Sequence, residues 1–532
     1  MLIYTLVFLL ALALVLGAVG FTQATYPFWF DQGAFGACGA TLLRGGVFLR
    51  DCWDVRGPMT PLLYAAGLRL GMWPSAALGF NVVWQALCAL ALGVLARRMF
   101  SSVLAGFVAG VTLWLTMSTL NYWSVAQAEG FANLFFIGAA WCAWEIAQQR
   151  DKRALALLGG TLAGSLFWFK YPFLGFGLVM LLWLGLRRAS RAQLAVWGAG
   201  ILLGLGLGLV YFALGGALPE LGLHLRYAIA NFHDKPLFER IQWLSGLFPV
   251  ELEAFVRLGS TPTADFKDTI PQVEWLGRGY PFLMAGMALG AGLAIVRRGA
   301  RPGLGLALIW LLAGLLLCVW QGHFYRYHFV IVLPPMALLV SAGLSSEANR
   351  RPPLVQSLVA LTVWALFWVG QFATILPWTR DAFTNLLLEG KSLRQIYTES
   401  KEWPHLALAD FLRDKLAPGE AAAVFSDTPA VYVLADRPHA TRFPYLRWAD
   451  ESRDPNVRAA LAQLYLEDLR RAPPRLFVLS REGYPWASAD SIATWKALPE
   501  VNQFVEANYR YVGEVGPYLV FARAEGQANM AR

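Results

Sequence analysis

The sequence has little charge for its length. Of its 532 residues only 15% are Asp, Glu, Lys or Arg, whereas 57% are hydrophobic. A soluble domain of this size does not need so many apolar residues to fill its core. Many of them fall in blocks of roughly 17 to 24 residues, the length that a helix needs to cross about 30 Å of hydrocarbon. The composition therefore indicates an integral membrane protein with many spans.

Cysteine is scarce, and its spacing excludes two kinds of site. The five cysteines form no CxxC pair and no Cys/His spacing of a metal site, which argues against a zinc ribbon or a redox pair. Cys88, Cys142 and Cys318 fall inside apolar spans, where packing is the expected role. Cys38 and Cys52 share one loop, and a disulfide between them requires that loop to be extracytoplasmic. The sequence leaves this pairing open.

The sequence also lacks a P-loop pattern, an internal repeat and a low-complexity tract. The absence of repeats argues against an inverted-repeat transporter. The net charge of +9 does not indicate a nucleic-acid partner, because the basic residues cluster at the ends of apolar spans rather than on a soluble aromatic surface. Their positions are informative about topology instead.

About eleven apolar segments are candidate membrane spans. They cover residues 3–22, 76–96, 103–120, 131–147, 154–169, 172–186, 193–214, 280–296, 303–321, 328–345 and 355–377. Short basic stretches at 97–98, 150–153, 187–191, 297–301 and 350–351 fall at alternate connections, which the positive-inside rule places in the cytoplasm. The loops at 23–75, 121–130, 215–279 and 322–327 are then expected outside, together with the C-terminal region.

One loop opposes this topology. The first outside loop holds Arg44, Arg50, Arg56 and Arg69, whereas the positive-inside rule places arginines in the cytoplasm. Five consistent connections outweigh this single loop, in which arginines alternate with acids. We therefore keep the assignment of the first loop to the outer side.

The chain changes character after residue 378, where charged residues occur throughout. The pattern predicts a helix over Trp403–Leu416, stopped by Pro418-Gly419, and short strands over Ala421–Phe425, Arg475–Leu479 and within Tyr509–Arg523. The predicted organisation is therefore a transmembrane domain over 1–378 and a soluble extracytoplasmic α/β domain over 379–532.

The first outside loop carries the strongest chemical signal. Asp31 follows the aromatic residues Phe28, Trp29 and Phe30, where a partly desolvated carboxylate is expected to have a raised pKa and to act as a general base. An Asp31 that caps a surface helix is the structural alternative. A second acidic and basic cluster, with Asp54 and Arg56, follows in the same loop.

This order of residues resembles the first periplasmic loop of the GT-C glycosyltransferases. That class includes the protein O-mannosyltransferases and the lipid A aminoarabinose transferases, which use polyprenyl-phosphate sugars. Asp31-Gln32 matches the Asp-Glu position of the family, with Gln32 in place of the second acid, and Arg56-Gly57-Pro58 matches its Lys-Pro-Pro stretch. The resemblance implies a GT-C-like fold of about eleven spans, with Asp31 as catalytic base and with Asp54 and Arg56 at the donor or acceptor.

Two more charged residues lie at the mouths of outside spans. Glu129 is the only charge between 121 and 130, and a carboxylate there is costly unless it has a partner. The resemblance implies that Glu129 is the second acid of the family, and a helix cap is the alternative. Lys170 lies between two closely spaced spans, where it is expected either to hold a lipid phosphate or to extend to the interface.

The segment from Gln321 to His328 resembles the Arg, aromatic and His-Tyr segment of bacterial GT-C members. It implies that Arg326 donates to a phosphate oxygen of the lipid leaving group. An arginine anchored in an aromatic belt is the alternative. His224 and His233 in the long outside loop are nine residues apart and do not form a metal pair, so surface positions are expected for both.

The resemblance therefore implies an inverting glycosyltransferase of the bacterial cytoplasmic membrane. It is expected to move one sugar from a polyprenyl-phosphate donor to an extracytoplasmic acceptor, which is a lipopolysaccharide, another glycolipid, a glycan or a protein. A divalent cation between Asp31 and Glu129 is conceivable but not required. A ligase that transfers whole oligosaccharides or polymers, and a lipid or sugar transporter, are the competing hypotheses.

Overall fold

The computed structural model describes most of the chain. It covers residues 16–120, 122, 124–148, 152–232, 274–296, 301–321, 326–345, 354–399, 405–452, 454–481 and 491–524. The described chain begins in a helix, residues 16–24, which is the end of the first predicted span. The fold is predominantly α-helical, with a small sheet near the C-terminus.

Helices occupy every predicted apolar segment within the described residues. The helices of this region are α1 Phe30–Leu43, α2 Met59–Leu68, α3 Pro74–Phe100, α4 Val103–Ser118, α5 Ala128–Gln148, α6 Arg153–Ser165, α7 Leu174–Leu186, α8 Arg191–Leu214, α9 Leu218–Phe232, α10 Glu274–Val296, α11 Arg301–Gln321, α12 Leu333–Ala342 and α13 Leu354–Phe383. Local signals set several of their ends: Pro74 occupies the first position of α3, and Ser190 with Gln193 forms a capping box before α8.

Four of the described helices are long and apolar enough to cross a membrane. They are Pro74–Phe100, Ala128–Gln148, Arg191–Leu214 and Pro302–Gln321, and shorter apolar helices accompany them. Their lipid-facing character is visible in exposed side chains such as Leu90 and Leu202, which are 66% and 70% exposed. The prediction of a polytopic helical membrane protein is confirmed, while the number of eleven spans stays a prediction.

The C-terminal region forms a four-stranded mixed sheet with helices, as predicted. Its elements are α14 Leu393–Glu399, α15 His405–Lys415, β1 Ala422–Phe425, α16 Ala430–Ala435, α17 Arg447–Glu451, α18 Pro455–Arg471, β2 Leu476–Ser480, α19 Ser491–Lys496, α20 Pro499–Asn508, β3 Tyr509–Val515 and β4 Tyr518–Arg523. The strand order is β1-β2-β4-β3, with β1 and β2 parallel and the other pairs antiparallel. Helix α13 runs across the predicted domain boundary at 378.

The α/β region packs directly on the first loop of the membrane region. The close approach requires Gly33, because a Cβ atom there would lie 2.5 Å from the backbone nitrogen of Ala430 in α16. The Trp53 backbone N–H donates to the Arg442 carbonyl oxygen at 2.6 Å. A side chain at position 33 would therefore separate the two surfaces.

A disulfide fixes the shape of the first loop. Cys38 in α1 is bonded to Cys52, with their Cα atoms 5.3 Å apart, which decides the pairing that the sequence left open. The other cysteines, Cys88, Cys142 and Cys318, are free and buried, as expected of packing residues. The bridge holds the segment before Trp53 and Asp54 against the helix that carries Asp31.

Candidate functional site

Asp31 lies in the first turn of α1 and is 8% exposed. Its Oδ1 atom accepts a hydrogen bond from Arg56 Nη2 at 2.6 Å, and its Oδ2 accepts one from Gln127 Nε2 at 3.1 Å. The residue at the N-cap of this helix is Trp29, which forms no side-chain cap. Asp31 is therefore paired in the interior and does not cap a surface helix.

Arg56 joins the two acids of the loop. Besides its bond to Asp31, its Nη1 lies 3.6 Å from Asp54 Oδ1, and its guanidinium stands 4.8 Å from the centre of the Phe35 ring. The side chain of Arg56 is 10% exposed. Gly57 brings this segment against the membrane helices, since a Cβ atom at Gly57 would lie 2.0 Å from the Trp168 carbonyl oxygen.

Asp54 is completely buried beneath Arg56. Its Oδ1 accepts the Arg56 backbone N–H at 2.9 Å, and its Oδ2 accepts the hydroxyl of Tyr445 at 3.3 Å. Burial raises the pKa of Asp54, and the Arg56 charge opposes this effect. Its contacts with the backbone and the guanidinium of Arg56 make Asp54 a support for Arg56.

The prediction that His224 lies on the surface is wrong. His224 is fully buried in α9, where its Nε2 bonds the Asp54 carbonyl oxygen at 2.7 Å and its Nδ1 bonds the Tyr171 hydroxyl. The ring also packs edge-on against Trp53. Burial lowers its pKa to about 4, so the imidazole is neutral near pH 7. His233 lies outside the described residues.

Glu129 and Lys170 form a second buried ion pair. Lys170 Nζ lies 2.5 Å from Glu129 Oε1 and donates a hydrogen bond to Gln321 Oε1 at 2.8 Å. The side chain of Lys170 is 11% exposed and that of Glu129 is 0% exposed. This inward contact does not support the alternative in which Lys170 extends to the interface. His328 Nε2 lies 3.8 Å from the same glutamate oxygen, so this oxygen faces both the Lys170 ammonium and the His328 ring.

The two ion pairs act on one another electrostatically. Burial lowers the pKa of Lys170, and the adjacent Glu129 raises it. Arg56 and Asp31 have smaller effects: the Arg56 charge lowers the pKa of Lys170 and the Asp31 charge raises it. A ring also flanks the ammonium, because Lys170 Nζ stands 5.5 Å from the centre of the Tyr327 ring. The four charged groups thus form one cluster between the first loop and the ends of α5, α7 and α11.

Gln32 has a structural role. Its Nε2 donates to the carbonyl oxygens of Tyr122 and Val125, each at 2.8 Å, and so ties α1 to the chain that precedes Glu129. An amide serves this position because it can donate to two carbonyls, which a carboxylate cannot. The departure from the family pattern therefore has a local explanation.

The structure brings Asp31, Asp54, Arg56, Glu129 and Lys170 together. Arg326 begins a 3-10 helix, Arg326–Val332, but its side chain lies outside what the structure describes. Among the residues with described positions, no group of three or more His, Cys, Asp or Glu side chains is placed to hold a metal ion. Sequence reasoning missed Gln127 and Tyr445, since neither belongs to a recognisable motif.

The fold is similar to that of solved structures. No protein-family model and no curated protein sequence matches the chain. Its structure is similar to that of ArnT from Cupriavidus metallidurans bound to undecaprenyl phosphate, with a TM-score of 0.58 and 13% sequence identity over 98% of each chain. The apo form of ArnT gives a TM-score of 0.58, 14% identity and the same coverage. The expected GT-C-like fold is therefore confirmed.

Proposed function

We propose that this chain is an inverting glycosyltransferase that moves one sugar from a polyprenyl-phosphate donor to a hydroxyl group outside the cytoplasmic membrane. The observation that carries the proposal is the buried cluster in which Asp31 meets Arg56 and Glu129 meets Lys170. The ArnT neighbour of the same fold binds undecaprenyl phosphate, which supports a lipid-linked donor here.

The reaction needs a base, a leaving group and charge stabilisation. Asp31 takes the proton of the acceptor hydroxyl while that oxygen bonds to the anomeric carbon of the donor sugar. The bond from that carbon to the lipid phosphate breaks on the opposite face, so the configuration inverts and the phosphate leaves with both electrons. Arg56, Lys170 and Arg326 are proposed to stabilise its charge, the largest contribution in steps of this kind.

Arg56 links donor binding to the freeing of the base. Its guanidinium is now bonded to Asp31 Oδ1 at 2.6 Å. A phosphate presents two oxygens that match the guanidinium fork and forms stronger, bidentate hydrogen bonds. When the donor phosphate binds Arg56, it competes with Asp31, which leaves that carboxylate oxygen available for the acceptor proton.

Glu129 and Asp54 serve in this proposal to position the two cations. Glu129 Oε1 holds the Lys170 ammonium, while its second oxygen is buried and accepts no hydrogen bond from the described residues. That oxygen is suited to a donor-sugar or acceptor hydroxyl that enters the cluster. Asp54 holds Arg56 from beneath.

The outer face of a bacterial cytoplasmic membrane is the proposed location. The alternating basic connections support it, and so does the Cys38–Cys52 disulfide in the first loop, because disulfides persist in oxidising compartments. Three of the four arginines of that loop, Arg44, Arg50 and Arg56, are paired with carboxylates, which weakens their weight against this topology.

The experiment is a transfer assay with purified full-length protein. Undecaprenyl-phosphate sugars are supplied as donors together with an extract of bacterial envelope glycolipids and proteins. The masses of the products are then determined by mass spectrometry. Addition of one sugar, with release of undecaprenyl phosphate, is the expected result. A mass increase of many sugars supports a ligase instead. Movement of lipid-linked sugar across vesicles with no new glycosidic bond contradicts any transferase.

A further inference from the structure

A cavity of about 270 Å³ lies between the first loop and the α/β region. Its walls come from residues 41–51 on one side and from residues 438–442 with Arg471 on the other. The charged groups that line it are four arginines and one acid: Arg44, Arg50, Arg442, Arg471 and Asp51. The excess of guanidinium groups favours an anionic ligand.

Two of these arginines have donors to spare. Arg44 Nη2 bonds Asp436 at 2.9 Å, and Arg471 Nη2 bonds Asp468 at 2.8 Å, which uses one nitrogen of each within the described part of the chain. Their side chains are 36% and 68% exposed. A guanidinium has five N–H donors, so both side chains can bind an oxyanion without losing their present contacts.

The other two arginines are held more firmly. Arg442 is bonded through Nε and Nη2 to the buried Asp468 at 3.0 Å and lies 3.4 Å from Glu220. Arg50 bonds Asp51 and the Gly215 carbonyl oxygen. These contacts build the cavity wall, while Arg44 and Arg471 provide the adjustable groups.

The cavity is separate from the cluster around Asp31 but belongs to the same helix. Thr41 lines the cavity, ten residues beyond Asp31 in α1. At 1.5 Å per residue the two positions are about 15 Å apart along the helix. His439 Nε2 meets the Thr41 hydroxyl at 2.7 Å, which joins the two walls. An anionic group bound in the cavity is therefore itself too far from Asp31 to take part in the reaction.

We propose that this cavity binds a phosphate or carboxylate group of the acceptor, at a distance from the hydroxyl that receives the sugar. This inference rests on the proposed glycosyl transfer. Binding at the cavity holds the acceptor across α1, so that another part of the same molecule reaches Asp31. The site selects acceptors that carry a negative charge, and it is an anchoring site without a chemical step of its own.

Anion binding is tested first without any transfer reaction. Purified full-length protein is treated with phenylglyoxal, which modifies arginine, with and without millimolar inorganic phosphate. Phosphate is expected to slow modification of Arg44 and Arg471 about threefold or more, as for a site with a millimolar dissociation constant. Arg510, which is exposed on β3, serves as the reference. Equal rates with and without phosphate, or equal slowing at Arg510, overturn the proposal.

Kinetics then test the link to the acceptor. The double variant Arg44→Gln with Arg471→Gln is expected to raise the acceptor KM at least about tenfold, the effect of losing one charged hydrogen bond. The kcat and the donor KM should stay unchanged. Asp436→Asn frees Arg44 and is expected to lower the acceptor KM about twofold, the size of an exposed ion pair. Arg510→Gln is the control. An unchanged acceptor KM in both the double arginine variant and Asp436→Asn overturns the proposal.

The source of the anion is distinguished with phosphatidylglycerol nanodiscs. If these nanodiscs protect Arg44 and Arg471 as well as inorganic phosphate does, and the variants keep a normal acceptor KM, the cavity binds membrane lipid. That result overturns the acceptor proposal. Normal transfer by the double variant removes this inference and leaves the proposed function intact. Protection by phosphate in a protein without transfer activity contradicts the proposed function and not the anion site.

Discussion

The hydroxyl of Tyr445 donates a hydrogen bond to Oδ2 of the buried Asp54 at 3.3 Å, across 391 residues of sequence. The same hydroxyl accepts the Val55 backbone N–H at 3.2 Å. Tyr445 follows the α/β segment that packs on α1, whereas Asp54 supports Arg56. The α/β region therefore contributes a side chain that helps, through Asp54 and Arg56, to position the candidate base Asp31.

Removal of this hydroxyl is expected to weaken the orientation of Arg56. Tyr445→Phe keeps the ring contact with Phe30 but leaves Asp54 Oδ2 buried without this donor, a cost of about 1 to 3 kcal/mol. We expect kcat to fall about threefold to tenfold, with little change in KM, for a loss of about 1 kcal/mol in the transition state. Steady-state kinetics with the donor at saturation measure this. A change in donor KM alone contradicts it.

Asp31→Asn is expected to abolish proton transfer and to keep the fold. The amide retains the size of the side chain but cannot take a proton, so kcat should fall by about a hundredfold to ten-thousandfold. Asp381→Asn makes the same change at an exposed site, where Asp381 is 61% exposed, and should leave the rate unchanged. Wild-type turnover by Asp31→Asn, with a normal thermal unfolding midpoint, removes the assignment of Asp31 as the base.

The Glu129–Lys170 pair is expected to be strongly coupled in stability. Lys170→Met leaves the fully buried Glu129 without its main cation, a change that costs about 3 to 5 kcal/mol. The double variant Lys170→Met with Glu129→Gln should recover much of this loss, because no charge then remains unpaired. The coupling is measured by thermal unfolding, in detergent, of the wild type, Lys170→Met, Glu129→Gln and the double variant. Additive losses contradict a direct pair.

The disulfide is expected to hold the first loop in place. Cys38→Ser with Cys52→Ser removes a bridge between residues 14 apart in sequence, which is worth about 3 kcal/mol for a loop of this length. The unfolding midpoint should fall, and a reducing agent should lower the wild-type midpoint to the same value. A wild-type protein that is insensitive to the reductant and labels at both cysteines after denaturation alone has no such bridge.

Stability is expected to fall in mild acid. Burial lowers the pKa of His224, His405 and His439 to about 4, below the value of 6.5 for a free histidine. The unfolded chain therefore binds more protons between about pH 6.5 and 4, and stability is lost as the pH falls through this range. Each histidine contributes about 1.4 kcal/mol per pH unit there.

His405→Gln tests this dependence away from the candidate site. His405 is in α15 and is 3% exposed. The variant should unfold with a shallower dependence on pH than the wild type between pH 6.5 and about 4, since one buried group no longer titrates. Unfolding midpoints across this range provide the measurement. An unchanged slope means that His405 does not stay neutral in the folded protein.

The sequence by itself determined the elements and the chemical groups. Apolar blocks must be helical in a bilayer, because every backbone N–H and C=O group needs an internal partner there, and helices occupy the predicted segments that the structure describes. The strands predicted over Ala421–Phe425 and Arg475–Leu479 likewise correspond to β1 and β2, within one residue at each end. Asp31, Glu129 and Lys170 stood out because a charge at the mouth of an apolar span needs a partner.

Only the tertiary structure decided which partners these groups have. Lys170 meets Glu129 across 41 residues and Tyr445 meets Asp54 across 391, and no local pattern encodes such distances. The packing of α9 buries His224, which its polar loop had suggested to be exposed. The arginine-lined cavity also exists only where two distant segments meet. Propensity and hydropathy act over a few residues, whereas a site is formed by packing between elements.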